Sequence, residues 1–316
     1  MNTSEDPTGA LEQVQLWTGA GLRADRRWQL SLPEGARDEL RAFCEREPQT
    51  CSESFTWRPE QWPALRRFVH DLREELEDGA GVVLLRGLGA LELGVEHTRC
   101  AYVAIGCAMG TPMLQYGRLY PVLDRGGSYE QQAIPVSMTN AETRFHTDSS
   151  SVDAVPDYVG LLCEEPSRHG GDSLVSNALR AHRQLAARAP ELLALLEQPL
   201  VRDVVTPGRE RNQENLLRNR FPVFQPCERA GGVLFRYMRY WIEKGQDRAG
   251  APLDAQQRAA LDLLDQLLEA PDNVLRFAMA RVDVFWINNR RLAHNRTAYR
   301  DTPDNVRQLQ RMWIQA

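Results

Sequence analysis

The chain has 316 residues, 42% of them hydrophobic and 26% charged, with a formal net charge of −5. That balance suits a soluble globular protein with a substantial core. It argues against a nucleic-acid partner, because the arginines lie among acidic neighbours and form no basic run.

No apolar run approaches the ~18 residues of a membrane helix. The start, MNTSEDPTGALEQ, lacks the basic opening and apolar centre of a signal peptide, so a cytoplasmic protein with no membrane partner is expected. The six cysteines, Cys44, Cys51, Cys100, Cys107, Cys163 and Cys227, show neither a CxxC pair nor zinc-ligand spacing and read as reduced thiols.

In chain order, the first dozen residues read as a loose terminus, and residues 33–46 contain a helix. A clearer one spans 60–78, where Trp62, Leu65, Phe68, Val69, Leu72 and Leu76 recur at helical spacing and Gly79 occupies the position of a C-terminal cap. GVVLLRGL, 81–88, is a short buried strand, and 91–109 is a helix stopped by Gly110 and Pro112.

From Tyr120 onward short apolar runs alternate with Gly, Pro, Asp and Asn: YVGLLC, DSLVS, GVLFRY, VDVFWIN and LQRMWI. This predicts an all-β barrel or sandwich. Helices interrupt it at 177–197 and from Asp254, where Gln257 completes a capping box. No linker or repeat divides the chain. One domain over 1–316 is expected: a helical extension, 1–80, packed on a β core, 81–316, with a cover inserted around 206–232.

The stretch RFHTDSS, 144–150, contains the first candidate chemistry. Alternate side chains on a strand share a face, so His146 and Asp148 converge if this stretch is extended. An imidazole and a carboxylate are two-thirds of the facial triad of non-haem iron enzymes; alone, such a pair is a weak signal that arises commonly by chance in polar loops. His70, His97 and His182 fall in helices and His169 in a turn. His294 follows the strand VDVFWIN, and antiparallel pairing would set it beside His146. Beyond it, Arg307 and Arg311 in RQLQR share a strand face, and arginine forks bind carboxylates at two points.

Together, H-x-D at 146–148, GGDS at 170–173, NNRRLAHNRTAYRD at 288–301 and the terminal RQLQRMW resemble the iron(II)/2-oxoglutarate-dependent dioxygenases of the TauD/TfdA group, in its clavaminate synthase-like branch. The resemblance runs from about Gly81 to the C-terminus. It implies a double-stranded β-helix, a distorted jelly roll with flanking helices. By position, it implies His146, Asp148 and His294 as iron ligands and Arg307 as partner of the far carboxylate of 2-oxoglutarate. Arg311 becomes a second arginine for co-substrate or substrate, and Ser173 a hydroxyl donor to the co-substrate. Iron(II), 2-oxoglutarate and O2 would together hydroxylate an unactivated C–H bond, releasing succinate and CO2. Related halogenases replace the acidic ligand; Asp148 is retained, so halogenation is not expected.

Desaturation, epoxidation and cyclisation use the same ligands and stay open, as do a hydrolytic and a non-catalytic metal site. The substrate is expected to be a small polar molecule, such as an amino acid or biosynthetic intermediate. Asn140 and Glu142 ahead of His146, and Arg236, Tyr237 and Arg239 in FRYMRYW, are the candidate substrate contacts.

Overall fold

The computed structural model describes residues 15–127, 136–149, 155–203, 210, 212–228 and 232–316. Helices α1 (Gly19–Ala24) and α2 (Glu34–Arg46) precede α3 (Pro63–Glu77), where Pro63 sits in the first turn and Leu65, Phe68, Val69, Leu72 and Leu76 are all buried. One apolar stripe at helical spacing thus faces the core, as the sequence predicts. Helix α4 covers Val95–Met109, four residues shorter at its start than expected. Leu88–Leu91 forms a 3-10 turn instead, and left-handed Glu92 ends it.

The large sheet has seven strands. Its order is β1 (Gln29–Ser31), β2 (Val82–Arg86), β12 (Val284–Asn288), β5 (Tyr158–Glu165), β14 (Gln308–Gln315) and β3 (Thr111–Pro112), with β4 (Tyr120–Val122) also on β14. Only β1 and β2 pair in parallel. A smaller antiparallel sheet orders β11 (Val274–Phe277), β6 (Ser173–Asn177) and β13 (Leu292–Arg296).

Period-two alternation decides what each face meets. On the large sheet, Val83, Leu85, Tyr158, Leu162, Trp286, Met312 and Ile314 point out and form one core with α2, α3 and α4. Val82, Leu84, Val159, Phe285, Ile287 and Trp313 point in and meet Val175, Leu275 and Leu292 of the small sheet. Each fully buried side chain of this kind contributes roughly 1.5–3 kcal/mol.

A second helical layer covers the small sheet. It comprises α5 (Ala178–Arg188), α6 (Pro190–Leu196), α8 (Arg239–Arg248) and α9 (Ala255–Glu269), whose Leu261, Leu264 and Leu268 are buried against Ala293, Phe235 and Leu185. The expected capping box of Asp254 and Gln257 is present. The helix expected over 177–197 is two helices, because Pro190 has no amide hydrogen to continue the ladder and starts a new first turn. The molecule is a β-rich jelly roll with a helical layer outside each sheet.

The segment 206–232, expected to lack regular structure, includes α7 (Gln213–Arg218), β8 (Arg220–Phe221) and β9 (Phe224–Pro226); residues 206–209, 211 and 229–231 lie outside the described residues. β8 pairs with β7 (Leu200–Val201), and β9 with β10 (Val233–Phe235). The strand read across 232–237 ends at Phe235, and α8 begins at Arg239. No helix among the described residues is long and apolar enough to cross a membrane.

Candidate metal centre and co-substrate cavity

His294 is the middle residue of β13, and its backbone exchanges two hydrogen bonds with that of His146, at 3.0 and 2.9 Å. This antiparallel bridge brings together residues 148 positions apart (294 − 146). The segment carrying His146 is not a regular strand. Left-handed Arg144 and Ser149 bend it on both sides. Between the two candidate ligands, Thr147 exchanges main-chain and hydroxyl bonds with the backbone of Tyr237. Convergence therefore comes from a pinned bend, where strand alternation was expected.

Nitrogen and oxygen donors of His146, Asp148 and His294 all lie within 4.8 Å of one another. Asp148 Oδ1 stands 3.8 Å from His146 Nε2 and 3.6 Å from His294 Nε2. Its other oxygen, Oδ2, accepts from Trp313 Nε1 at 2.7 Å and lies 3.1 Å from Arg311 Nη1. Arg311 Nη1 also donates to Oδ1 at 3.2 Å, so the guanidinium reaches both carboxylate oxygens, and Oδ1 faces the imidazoles as well.

The Nδ1 atom of His146 lies 2.9 Å from the Arg144 carbonyl, which favours hydrogen on Nδ1 and frees Nε2. Burial, helped by neighbouring His294, pushes the His146 imidazole down to about 3, so it stays neutral. Burial opposes ionisation of Asp148, but Arg311 and the two imidazoles outweigh it and hold the carboxyl well below the usual range. Two imidazoles and one ionised carboxylate on one side of a cavity fit a divalent iron with open positions.

That cavity measures about 260 Å³, and its wall includes the three residues above, Ser173, Arg296, Arg307, Arg311 and Trp313. Arg311 belongs to the metal end, against Asp148 and the rings of Tyr120 and Trp313. Arg307 precedes β14, whose register shifts between Gln308 and Leu309. Its guanidinium is buried against the Tyr299 ring, and its Nη1 has no hydrogen-bond partner among the described residues. A methyl group on Gly171 would come within 3.1 Å of its Nε, so the glycine of GGDS leaves room for the arginine. Burial lowers the arginine's affinity for its proton.

The candidate substrate contacts fall elsewhere. Tyr237 donates to Asp265 at 2.6 Å, and Arg239 pairs with Glu243, Asp262 and Asp265 at 2.7–2.8 Å. Arg236 is buried over the Phe221 ring. From this segment Met238 and Trp241 line the cavity, together with Asp203. Glu142 is exposed and accepts from Asn295, and the Asn140 carbonyl accepts from the Tyr299 amide. They stitch the ligand segment to β13 and to the chain just beyond it.

Sequence reasoning passed over Trp313, Tyr299, Arg296 and Asn289. Trp313 had a usable signal, since it alternates with Arg311 on β14. Asn289 had only the turn signature of its NN doublet.

A jelly roll with a two-histidine, one-carboxylate site beside a buried arginine that has no ion-pair partner among the described residues defines a non-haem iron oxygenase that takes an acidic co-substrate. The sequence profile of the taurine catabolism dioxygenase TauD, TfdA family matches residues 58–313. The chain belongs to that family. It is a 2-oxoglutarate-dependent non-haem iron dioxygenase using iron(II), 2-oxoglutarate and O2.

Among characterised proteins it is 26% identical to FR-33289 synthase of Streptomyces rubellomurinus over 313 residues, covering 95% of this chain and 88% of the relative. It is 27% identical to the uridine-5'-phosphate dioxygenase of an Amycolatopsis species over 236 residues, 70% and 80% of the two chains. An asparagine oxygenase structure holding Fe(II), 3-hydroxyasparagine and succinate shares the fold at a TM-score of 0.68 and 17% identity, over 91% and 93% of the chains. The non-haem iron oxygenase OrfP, with Fe, succinate and 3-hydroxyarginine, follows at 0.65 and 15%, over 90% and 94%.

Proposed function

We propose that the protein hydroxylates an unactivated C–H bond of a small polar molecule, with His146, Asp148 and His294 holding iron(II) and Arg307 holding the far carboxylate of 2-oxoglutarate. Iron(II) with 2-oxoglutarate supplies O2 activation, with succinate and CO2 as co-products. The observation that carries the reading is the state of the two arginines. Arg311 is already matched by Asp148. Arg307 is buried, faces the same cavity and has no ion-pair partner among the described residues. Leaving a guanidinium buried and uncompensated costs several kcal/mol, a cost that a carboxylate from the co-substrate offsets.

The chain's own residues then do the positioning. Trp313 and Arg311 hold the Asp148 carboxylate, and the Arg144 carbonyl holds the His146 ring. Ser173, which lines the same cavity as Arg307, adds a hydroxyl donor for the co-substrate. Met238, Trp241 and Asp203 line the same cavity, where they exclude water and orient the substrate. The relatives named above are described with a nucleotide monophosphate or with hydroxylated amino acids, which supports a small polar substrate. In this reading the chain is one oxygenase domain in the cytoplasm, and six free cysteines suit that reducing setting.

Adding iron(II) and 2-oxoglutarate to metal-free protein without oxygen tests the site. A weak visible charge-transfer band is expected, lost in Asp148→Ala and His294→Ala. Iron binding without the band would remove the co-substrate role. Product mass then separates hydroxylation, which adds one oxygen, from desaturation, which removes two hydrogens.

A further inference from the structure

Two side-chain groups grip the carboxylate of Asp148, but something else must place its backbone. Asn289 is 1% exposed and sits in the turn between β12 and β13, five residues before His294 (294 − 289). Its Oδ1 accepts from the Asp148 amide at 2.8 Å, and its Nδ2 donates to the Asp148 carbonyl at 3.0 Å. The same Nδ2 reaches the Pro156 carbonyl at 3.1 Å, and the Asn289 amide donates to the Asp157 carbonyl at 2.9 Å. One amide side chain therefore behaves like a short piece of sheet. It holds the main chain of one candidate ligand on both sides and ties it to the turn that leads into another.

The turn itself is anchored. Asn288 donates to the Leu76 carbonyl at 3.0 Å, and Arg291 donates to the carbonyls of Leu76 and Gly79 at 2.8 and 2.7 Å. Leu76 lies in the last turn of α3, whose carbonyls lack helical partners, and Gly79 follows just past the helix end. Arg290 bridges Glu77 and Asp157 at 2.7 and 2.9 Å. Asn289 thus hangs from a fixed frame and not from a loose loop.

We propose that Asn289 is a positioning residue for the metal centre, setting where Asp148 stands relative to His294. This rests on the iron reading given above. Removing an outer partner of a metal ligand typically lowers metal affinity about 10- to 100-fold. The test is an anaerobic iron(II) titration of metal-free full-length protein, with thermal unfolding measured in parallel. Asn289→Ala is expected to weaken iron binding about 10- to 100-fold. Asn288→Ala, in the same turn but bonded to Leu76, is expected to lower the unfolding temperature while holding iron affinity within about threefold, since it leaves the Asp148 contacts intact.

Should Asn289→Ala fail to fold, the isosteric Asn289→Asp keeps an acceptor for the Asp148 amide and removes the two donors, and an affinity below wild type is expected. Wild-type affinity in either Asn289 variant overturns the positioning role, as does an equal loss in Asn288→Ala. Wild-type protein that binds no iron overturns the iron reading as well, so the two failures are distinguishable.

Discussion

The two faces of β14 are built from one run of residues and obey different rules. Met312 and Ile314 point outward into an apolar core with α4, where the requirement is volume. Arg311 and Trp313 point inward, where each has a named polar partner on Asp148. Gly160 on the neighbouring strand shows how full the outer side is: a methyl there would meet the Trp286 ring and Tyr102 hydroxyl at 2.5 Å. The outer face stabilises the fold and tolerates chemistry of similar shape. On the inner face buried charge is retained, at a cost in stability, because the site needs it.

The sharpest way to break this comparison is at the inner end. Asp148→Ala and His294→Ala are expected to abolish substrate-coupled succinate release, a fall of at least about 10³-fold, because a facial triad with two ligands no longer holds its metal. Retained turnover in both would show that the cluster is not the reaction centre.

Arg307→Ala comes next. Loss of a charge-assisted contact of about 1.5–3 kcal/mol should raise the KM for 2-oxoglutarate roughly 10- to 100-fold, with kcat less affected. Unchanged co-substrate affinity would transfer the anchor to Arg311.

Trp313→Phe keeps the ring and removes one donor to Asp148. An iron affinity lower by a few fold, about 1 kcal/mol, is expected, measured by the same anaerobic titration.

The outer face should give the smallest change in activity. Met312→Ala is expected to cost about 2–5 kcal/mol of stability, read by denaturant unfolding, with the KM for 2-oxoglutarate moved less than about twofold. A large KM shift there would mean that the two faces are not independent.

Much of this was legible from residue order. The stripe of α3, the capping box at Asp254 and the short strands after Tyr120 follow from periodicity and turn chemistry, which are local. The four motifs, met in order, pointed to the family and to the three side chains that the structure brings within one cluster. Local reading failed where a neighbour distant in sequence decided the outcome. FRYMRYW alternates like a strand, yet Tyr237 and Arg239 meet acidic groups on α9, and it is Met238 and Trp241 that face the cavity.

Residue order by itself determined the periodic elements, the short buried strands and the family's chemistry, because each depends on spacing within a few turns or on motifs read in sequence. Only the tertiary structure decided that Arg311 is matched by Asp148 while the Arg307 guanidinium meets no acidic partner among the described residues, that a bend and not a strand presents His146 and Asp148, and that Asn289 holds Asp148 from 141 residues away (289 − 148). Pairing of charges and satisfaction of buried hydrogen bonds depend on which groups are brought together in space, and no local pattern records that.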